Sequence, residues 1–458
     1  MKTPALRHML LGVSTSLLVS CGGGGGGGGS GDDGVCGVTA QKKFVLDVAQ
    51  SWYLFRDELQ SANPDSFATT QDYLDALAAQ ARSEGKDRHF SFVTTKDEFS
   101  AFAGMGQAVL YGVTFVRGDQ DRVFVGKVES DSPAHEKSFV RGDELLAVGP
   151  SGHLTTVGEL EMHPEKQADA FGPSKAGVTR DFQVHPFNSA PGHTEIRTLT
   201  QRLVTLDLVS TAVIPRQGQT PVGYIAFETF VDPSEQALRN AFQNFKGLGI
   251  KDLIVDLRYN GGGSGRIAEV LLNLLNTDLN GQVMYSEQTN FNHGGDSNYN
   301  FQRLFSDQPE SVSTGRIAFI TTFRTASASE LVINAIAPYR QVALVGSQTF
   351  GKPVGQLIFA MPDCDTLLAL ISIRAINSVG DTDYYNGLPD AGFTDAACAA
   401  SDDVTAARGN PAEGSTAAAL SWINNNTCPA SAKRATVAGV YPGPAQPNLA
   451  QRERPGLY

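Results

Sequence analysis

Positive charge is scarce in this 458-residue chain: 36 Lys and Arg stand against 48 Asp and Glu, a net charge of −12. Without a basic patch to neutralise phosphates, the composition argues against a nucleic-acid partner. Metal-ligating residues are thin as well. The eight histidines are scattered and all precede residue 300, and no CxxC or Cys/His cluster has zinc spacing. Neither a metal site nor a cofactor is expected. Long apolar runs are also missing, because the most apolar stretch, residues 10–19, is too short to span a bilayer.

That stretch has another use. Lys2 and Arg7 precede it, and it ends in Leu18-Val19-Ser20-Cys21. A positive start and a short apolar run are the marks of an export signal. The last four residues resemble a bacterial lipobox, which implies a signal peptide over 1–20 cut before a lipidated Cys21; an ordinary secretory signal cut elsewhere is the other reading. A glycine-rich tether follows over 21–35, too flexible to pack. The implied location is the cell envelope, at the outer membrane facing the periplasm of a Gram-negative bacterium, with the lipid as the only membrane contact. Setting Cys21 aside leaves Cys36, Cys364, Cys398 and Cys428. An even number in an oxidising compartment predicts two disulfides, with three pairings open.

Three folded segments are expected, giving a multidomain α/β (α+β) protein. Residues 36–104 carry helical periodicity in Phe44, Val45, Val48 and Trp52 and again in Tyr73, Leu74 and Leu77, and read as a cap rather than a site. Residues 105–200 switch to short alternating runs such as Val123, Val125 and Val128, broken at Asp131-Ser132-Pro133 and Gly142-Asp143. Residues 201–430 alternate apolar strands with amphipathic helices, the pattern of a mainly parallel sheet whose strand ends carry the chemistry. Residues 431–458 have prolines and no periodicity, and read as a disordered tail.

In the third segment three loops follow strands: residues 256–263 (DLRYNGGG), 325–330 (TASASE) and 349–356 (TFGKPVGQ). In a parallel sheet they converge on one crevice. The last of them nearly matches a phosphate-binding loop, with Gly346, Gly351 and Lys352 in place. The match fails at Pro353, which has neither the hydroxyl for magnesium nor an N–H for phosphate. No nucleotide is therefore expected. Lysine between glycines has a second use, as the base for a serine nucleophile. That requires its pKa to fall by roughly three units, about 4 kcal/mol of differential solvation. Phe350 and Val354 are candidates for a dry wall, and Gln356 for a hydrogen-bonding partner. The residues alone do not choose between Ser327 and Ser329, and a histidine base from elsewhere, His89 or His293, stays open.

TASASE, then TFGK with a glutamine four residues past the lysine, after DLRxNxGG, resembles the C-terminal processing, or tail-specific, serine proteases. A late Gly387-Leu388-Pro389-Asp390 is similar to the family's GIxPD. In that family the lysine follows the nucleophile by 25 residues, and 352 − 327 = 25 selects Ser327. The resemblance implies a serine endopeptidase acting on exported polypeptides, with cuts near C-termini, Ser327 as nucleophile, Lys352 as base and Gln356 as its orienter. Backbone N–H groups of Ala328, Gly262 and Gly263 would form the oxyanion hole. Residues 105–200 resemble a PDZ module, which implies capture of a peptide C-terminus near Gly112, Val113 and Thr114. Two residues depart from the family pattern: Pro338 stands where it often has an acid, and Pro353 where it has glycine. Asp256 and Arg258 read as a structural ion pair, Glu330 as a helix N-terminal charge and Ser329 as a cap or packing residue. The competing class is a non-catalytic lipoprotein holding peptides or a hydrophobic ligand. Polypeptides are the expected partners, and an adaptor or oligomer is left open.

Overall fold

The computed structural model describes residues 34–118, 122–290, 300–388 and 396–429. Cys21, the tether up to residue 33, the tail over 431–458, His293 and the Pro389-Asp390 pair lie outside the described residues.

The largest sheet has six strands, in the order Val209–Arg216, Gln219–Phe227, Asp252–Asp256, Arg316–Thr321, Gln341–Gly346 and Ala396–Ala399. The first pair is antiparallel and every later pair is parallel. Successive side chains of a strand point to opposite faces, and here both faces are covered. Leu253, Val255, Ile317, Phe319, Val342 and Leu344 face a core with helices Ser234–Gly247, Gly265–Leu274 and Ala328–Ile336. Ile254, Ala318, Ile320, Ala343 and Val345 face a second core closed by helix Gly414–Asn425 through Trp422. This is why DLIVD and RIAFIT are apolar throughout instead of alternating.

A second, antiparallel sheet carries the lysine segment. Strand Val354–Ala360 pairs with one edge of Thr366–Asn377, whose other edge takes Phe92–Thr95 and Val283–Thr289. The N-terminal segment is therefore not only helical: after helices Val38–Trp52 and Thr70–Leu77 it adds a strand to this sheet. Its core residues Val45, Tyr53, Tyr73 and Phe90 pack with Leu368, Leu370 and Ile371.

Residues 113–200 form a separate antiparallel sheet with Val113–Arg117 at one edge and Glu195–Thr200 at the other. The chain enters and leaves it through one antiparallel pair, Gln107–Leu110 with Arg202–Thr205. The cysteines pair as Cys36–Cys364 and Cys398–Cys428, with sequence separations of 328 and 30 residues. The first bond fixes the start of the N-terminal segment to the turn after Val354–Ala360. The second holds the last helix to the edge strand of the large sheet.

Candidate active site

The three loops do meet. At the end of Asp252–Asp256 the chain turns through the glycines, and the next loop is laced to it. Asn260 O accepts from Ser329 Oγ (3.0 Å) and Ala326 N (3.2 Å), while Leu257 O accepts from Thr325 Oγ1 (2.8 Å). Ser329 is thus a buried tie between helix Ala328–Ile336 and the glycine loop. Asp256 and Arg258 belong to a larger network than one ion pair. The fully buried Arg258 guanidinium also reaches Glu413 at 2.9 Å and Asp402 at 2.7 Å, which fastens residues 402–413 beneath the loop.

Ser327 is set apart by its backbone. With φ 55° and ψ −117° it holds a left-handed region that a non-glycine residue rarely occupies, at a cost of order 1–3 kcal/mol. What holds it there is Glu330, three residues on and buried. Glu330 Oε2 accepts from Ser327 N (2.9 Å) and from Lys352 N (2.8 Å), and Oε1 accepts from Gly351 N (2.7 Å) and from the Thr349 hydroxyl. Burial pushes the Glu330 pKa up, and these hydrogen bonds pull against it. Glu330 is a helix N-terminal charge, as its position three residues after Ser327 suggests. It is also the joint between the serine loop and the lysine loop, which the sequence did not disclose.

Lys352 is 2 % exposed. Its Nζ donates to Gln356 Oε1 at 2.9 Å and sits 5.0 Å from the centre of the Phe90 ring. Burial lowers its pKa to about 7, against the opposing pull of Asp87 and Glu330. The dry wall expected from Phe350 and Val354 is in fact led by Phe90, against which Phe350 packs at 5.8 Å between ring centres. Residues 86–91 therefore reach the site, which corrects the reading of 36–104 as a cap alone. Sequence periodicity was silent here because these residues lie in a turn. Arg88 completes the contact, donating to Phe350 O at 2.9 Å and to Gly351 O. The neighbouring His89 side chain is 46 % exposed and pairs with Asp75 and Arg82 rather than with Ser327.

Of the expected oxyanion donors, Gly262 needs correction. Its N–H is taken by Asn260 Oδ1 at 2.9 Å, so it is not free for an incoming oxygen. Its glycine character serves space instead. At φ +106° a Cβ would lie 2.8 Å from Ser327 Cβ and 2.9 Å from Ala328 N. Gly263 is bridged by its neighbours' bonds to Phe230, from Ser264 N to Phe230 O (2.7 Å) and from Phe230 N to Gly262 O (2.9 Å). In a parallel bridge this turns the Gly263 N–H itself to the opposite side.

Gly112, Val113 and Thr114 lie in the other sheet, at the start of its edge strand. Gly112, at φ +85°, has Ser132 against it so closely that a Cβ would fall 2.0 Å from Ser132 Cβ. Farther along the strand, Phe115 O accepts from the Arg324 guanidinium of the serine loop. This contact links the two sheets.

Residues 221–384 match the Peptidase family S41 model, and residues 40–92 match the Peptidase S41 N-terminal domain. These two stretches are similar to peptidase family S41. The chain is similar to carboxyl-terminal-processing peptidase 2 of Arabidopsis thaliana chloroplasts, at 24% identity over 63% of this chain and 53% of that protein. It is also similar to the carboxyl-terminal-processing protease of Synechocystis sp., at 25% identity over 51% of this chain and 50% of that one. The tail-specific protease of Haemophilus influenzae matches at 24% identity over 62% of this chain and 38% of its own. The chain spans about half the length of the curated relatives it matches. Its fold is similar to that of a putative S41 protease from Bacteroides fragilis, with a TM-score of 0.62 and 23% identity over 84% of this chain and 97% of that one.

Proposed function

We propose that this chain is a serine endopeptidase of the S41 kind that cuts exported polypeptides near their C-termini through a Ser327–Lys352 dyad. The observation that carries the reading is the state of Lys352: a buried amine with its pKa near 7, bonded to Gln356 and anchored through Glu330 to the strained backbone of Ser327. A lysine serving only as a salt-bridge partner has no reason to be held neutral.

In the proposed reaction Ser327 Oγ attacks the scissile carbonyl carbon while neutral Lys352 takes its proton. Backbone N–H groups of Ala328 and Gly263 receive the oxyanion. The C–N bond then breaks, and Lys352 returns the proton to the leaving amine. Water, deprotonated by Lys352, attacks the acyl ester, releases the new carboxylic acid and restores Ser327. Gln356 keeps the amine directed throughout. The edge strand Val113–Arg117 supports the further proposal that a PDZ-like sheet captures the substrate's end by strand addition. Two disulfides accounting for Cys36, Cys364, Cys398 and Cys428 support an oxidising compartment, consistent with a lipid anchor at Cys21.

The test is cleavage of an unfolded polypeptide with a free C-terminus by wild type, Ser327→Ala and Lys352→Ala. Wild type is expected to cleave it, and both variants to lose at least a thousandfold in kcat/KM, on the order seen when a nucleophile or its base is removed. No cleavage by wild type across a broad substrate panel, or retained cleavage by Ser327→Ala, would overturn the proposal.

A further inference from the structure

Lys352 follows the serine loop in the chain, yet two contacts around its amine lead to the N-terminal segment. Phe90, fully buried, lays its ring 5.0 Å from Nζ. Its carbonyl oxygen accepts from Gln356 Nε2 at 2.6 Å. A carboxamide has one end that donates and one that accepts. A carbonyl only accepts, so it commits the nitrogen end of Gln356 to Phe90 and turns Oε1 toward Lys352. The amine thus meets a neutral acceptor, which holds one N–H and leaves the nitrogen lone pair to another direction.

Phe90 is itself fixed. Asp87 Oδ1 accepts from Phe90 N (2.8 Å) and Ser91 N (3.1 Å), and Asp87 Oδ2 accepts from Tyr53 Oη (2.9 Å). Ser91 Oγ receives Ile371 N at 3.2 Å, and the strand that follows pairs with Thr366–Asn377. Arg88 stacks on Phe350 at 4.4 Å and grips the carbonyls before Lys352. None of these bonds serves the N-terminal helices alone, since each one ends on the lysine segment or on the turn that touches it.

We infer that residues 87–91 of the N-terminal segment are part of the base, with Phe90 as a positioning residue. Its ring shields Lys352 Nζ from water and its carbonyl sets the orientation of Gln356. The inference rests on the dyad reading above. The charged groups facing Lys352 are Asp87 from this turn and Glu330 from helix Ala328–Ile336, with the Arg88 guanidinium at the carbonyl of Gly351. Both carboxylates favour the ammonium form, so exclusion of water is what keeps the amine neutral, and the Phe90 ring supplies part of it.

The experiment compares Phe90→Ala and Phe90→Leu in the full chain. Admitting water beside Nζ in Phe90→Ala moves the acid limb of kcat/KM upward by at least about one unit, roughly a fivefold loss at pH 7 that approaches tenfold by pH 6 and is recovered near pH 9. Leucine keeps the apolar cover and the carbonyl, so Phe90→Leu keeps the wild-type limb. Loss of packing alone would lower activity at all pH values equally. Should Phe90→Ala not fold, Phe90→Val is expected to show a smaller shift of the same sign. A second readout needs no turnover: the 13Cε shift of Lys352, assigned by its absence in Lys352→Met, titrates higher in Phe90→Ala than in wild type. An unmoved Lys352 titration overturns the role of Phe90. A moved titration in a chain whose wild type cleaves nothing keeps that role and sinks the peptidase reading instead.

Discussion

Ser327 and Lys352, 25 residues apart, give their backbone N–H groups to the same oxygen, Glu330 Oε2, at 2.9 and 2.8 Å. One carboxylate therefore sets both the strained entry to the serine helix and the course of the lysine loop. A movement of either loop has to break a charge-assisted hydrogen bond in a buried site, where such bonds are strong.

Glu330→Gln keeps the shape but loses the charge and turns one acceptor into a donor facing N–H groups. A stability loss of about 2–4 kcal/mol is expected from the disrupted buried network. Glu330 also raises the Lys352 pKa electrostatically. Residual activity should therefore show its acid limb at lower pH than wild type. Urea melts and a pH profile of kcat/KM check both, and an upward shift of the limb contradicts the account.

Lys352 titrates at about 7 in the folded chain and near 10.4 when unfolded. Between those values the unfolded chain binds the extra proton, so stability rises with pH across this window, and the burden of a buried ammonium is full below pH 7. Lys352→Met removes that burden. The variant should be more stable than wild type at pH 6, with the gain shrinking by roughly 2–3 kcal/mol by pH 9. Denaturant melts at the two pH values measure it, and a gain independent of pH means the amine is not held neutral.

Gly262→Ala places a methyl 2.8 Å from Ala326 O and Ser327 Cβ, at φ +106° where alanine is strained. Because backbone lines both sides, the loops must shift. A fall of at least about a hundredfold in kcat is expected from displacing the serine by even a fraction of an ångström, with a more modest loss of stability. Activity close to wild type would show that Ser327 is not where the chemistry happens.

Cys36–Cys364 closes 328 residues, against 30 for Cys398–Cys428. Replacing the first pair by serine should lower stability by about 2–4 kcal/mol, and by more than replacing the second, because loop-closure entropy grows with length. Thermal melts of the two double variants give the comparison, and a larger loss from the short loop reverses it.

Much of the large sheet is legible in the chain because its strands are buried on both faces. DLIVD and RIAFIT are continuous apolar runs, and helix Ser234–Gly247 coincides with the periodicity of Leu238, Ala241, Phe242 and Phe245. The three loops are legible for a related reason: glycines, a serine pair and a lone lysine stand at strand ends where packing demands none of them. Phe90 was not, since a phenylalanine in a short turn gives no period and its target lies 262 residues away in Lys352. The disulfide pairing was likewise beyond spacing alone, because it depends on which segments the sheets bring together.

Local chemistry in the sequence thus determined the candidates: a serine at a helix start, a lysine between glycines and a glutamine four residues beyond. Tertiary structure decided what those groups are. Lysine is an ordinary ammonium wherever water reaches it. It is shifted to about 7 because the folded chain buries it, and a shared carboxylate holds its loop to the serine loop. Solvation and the hydrogen bonds that close a site are set by segments far apart in the chain, so no local pattern can encode them.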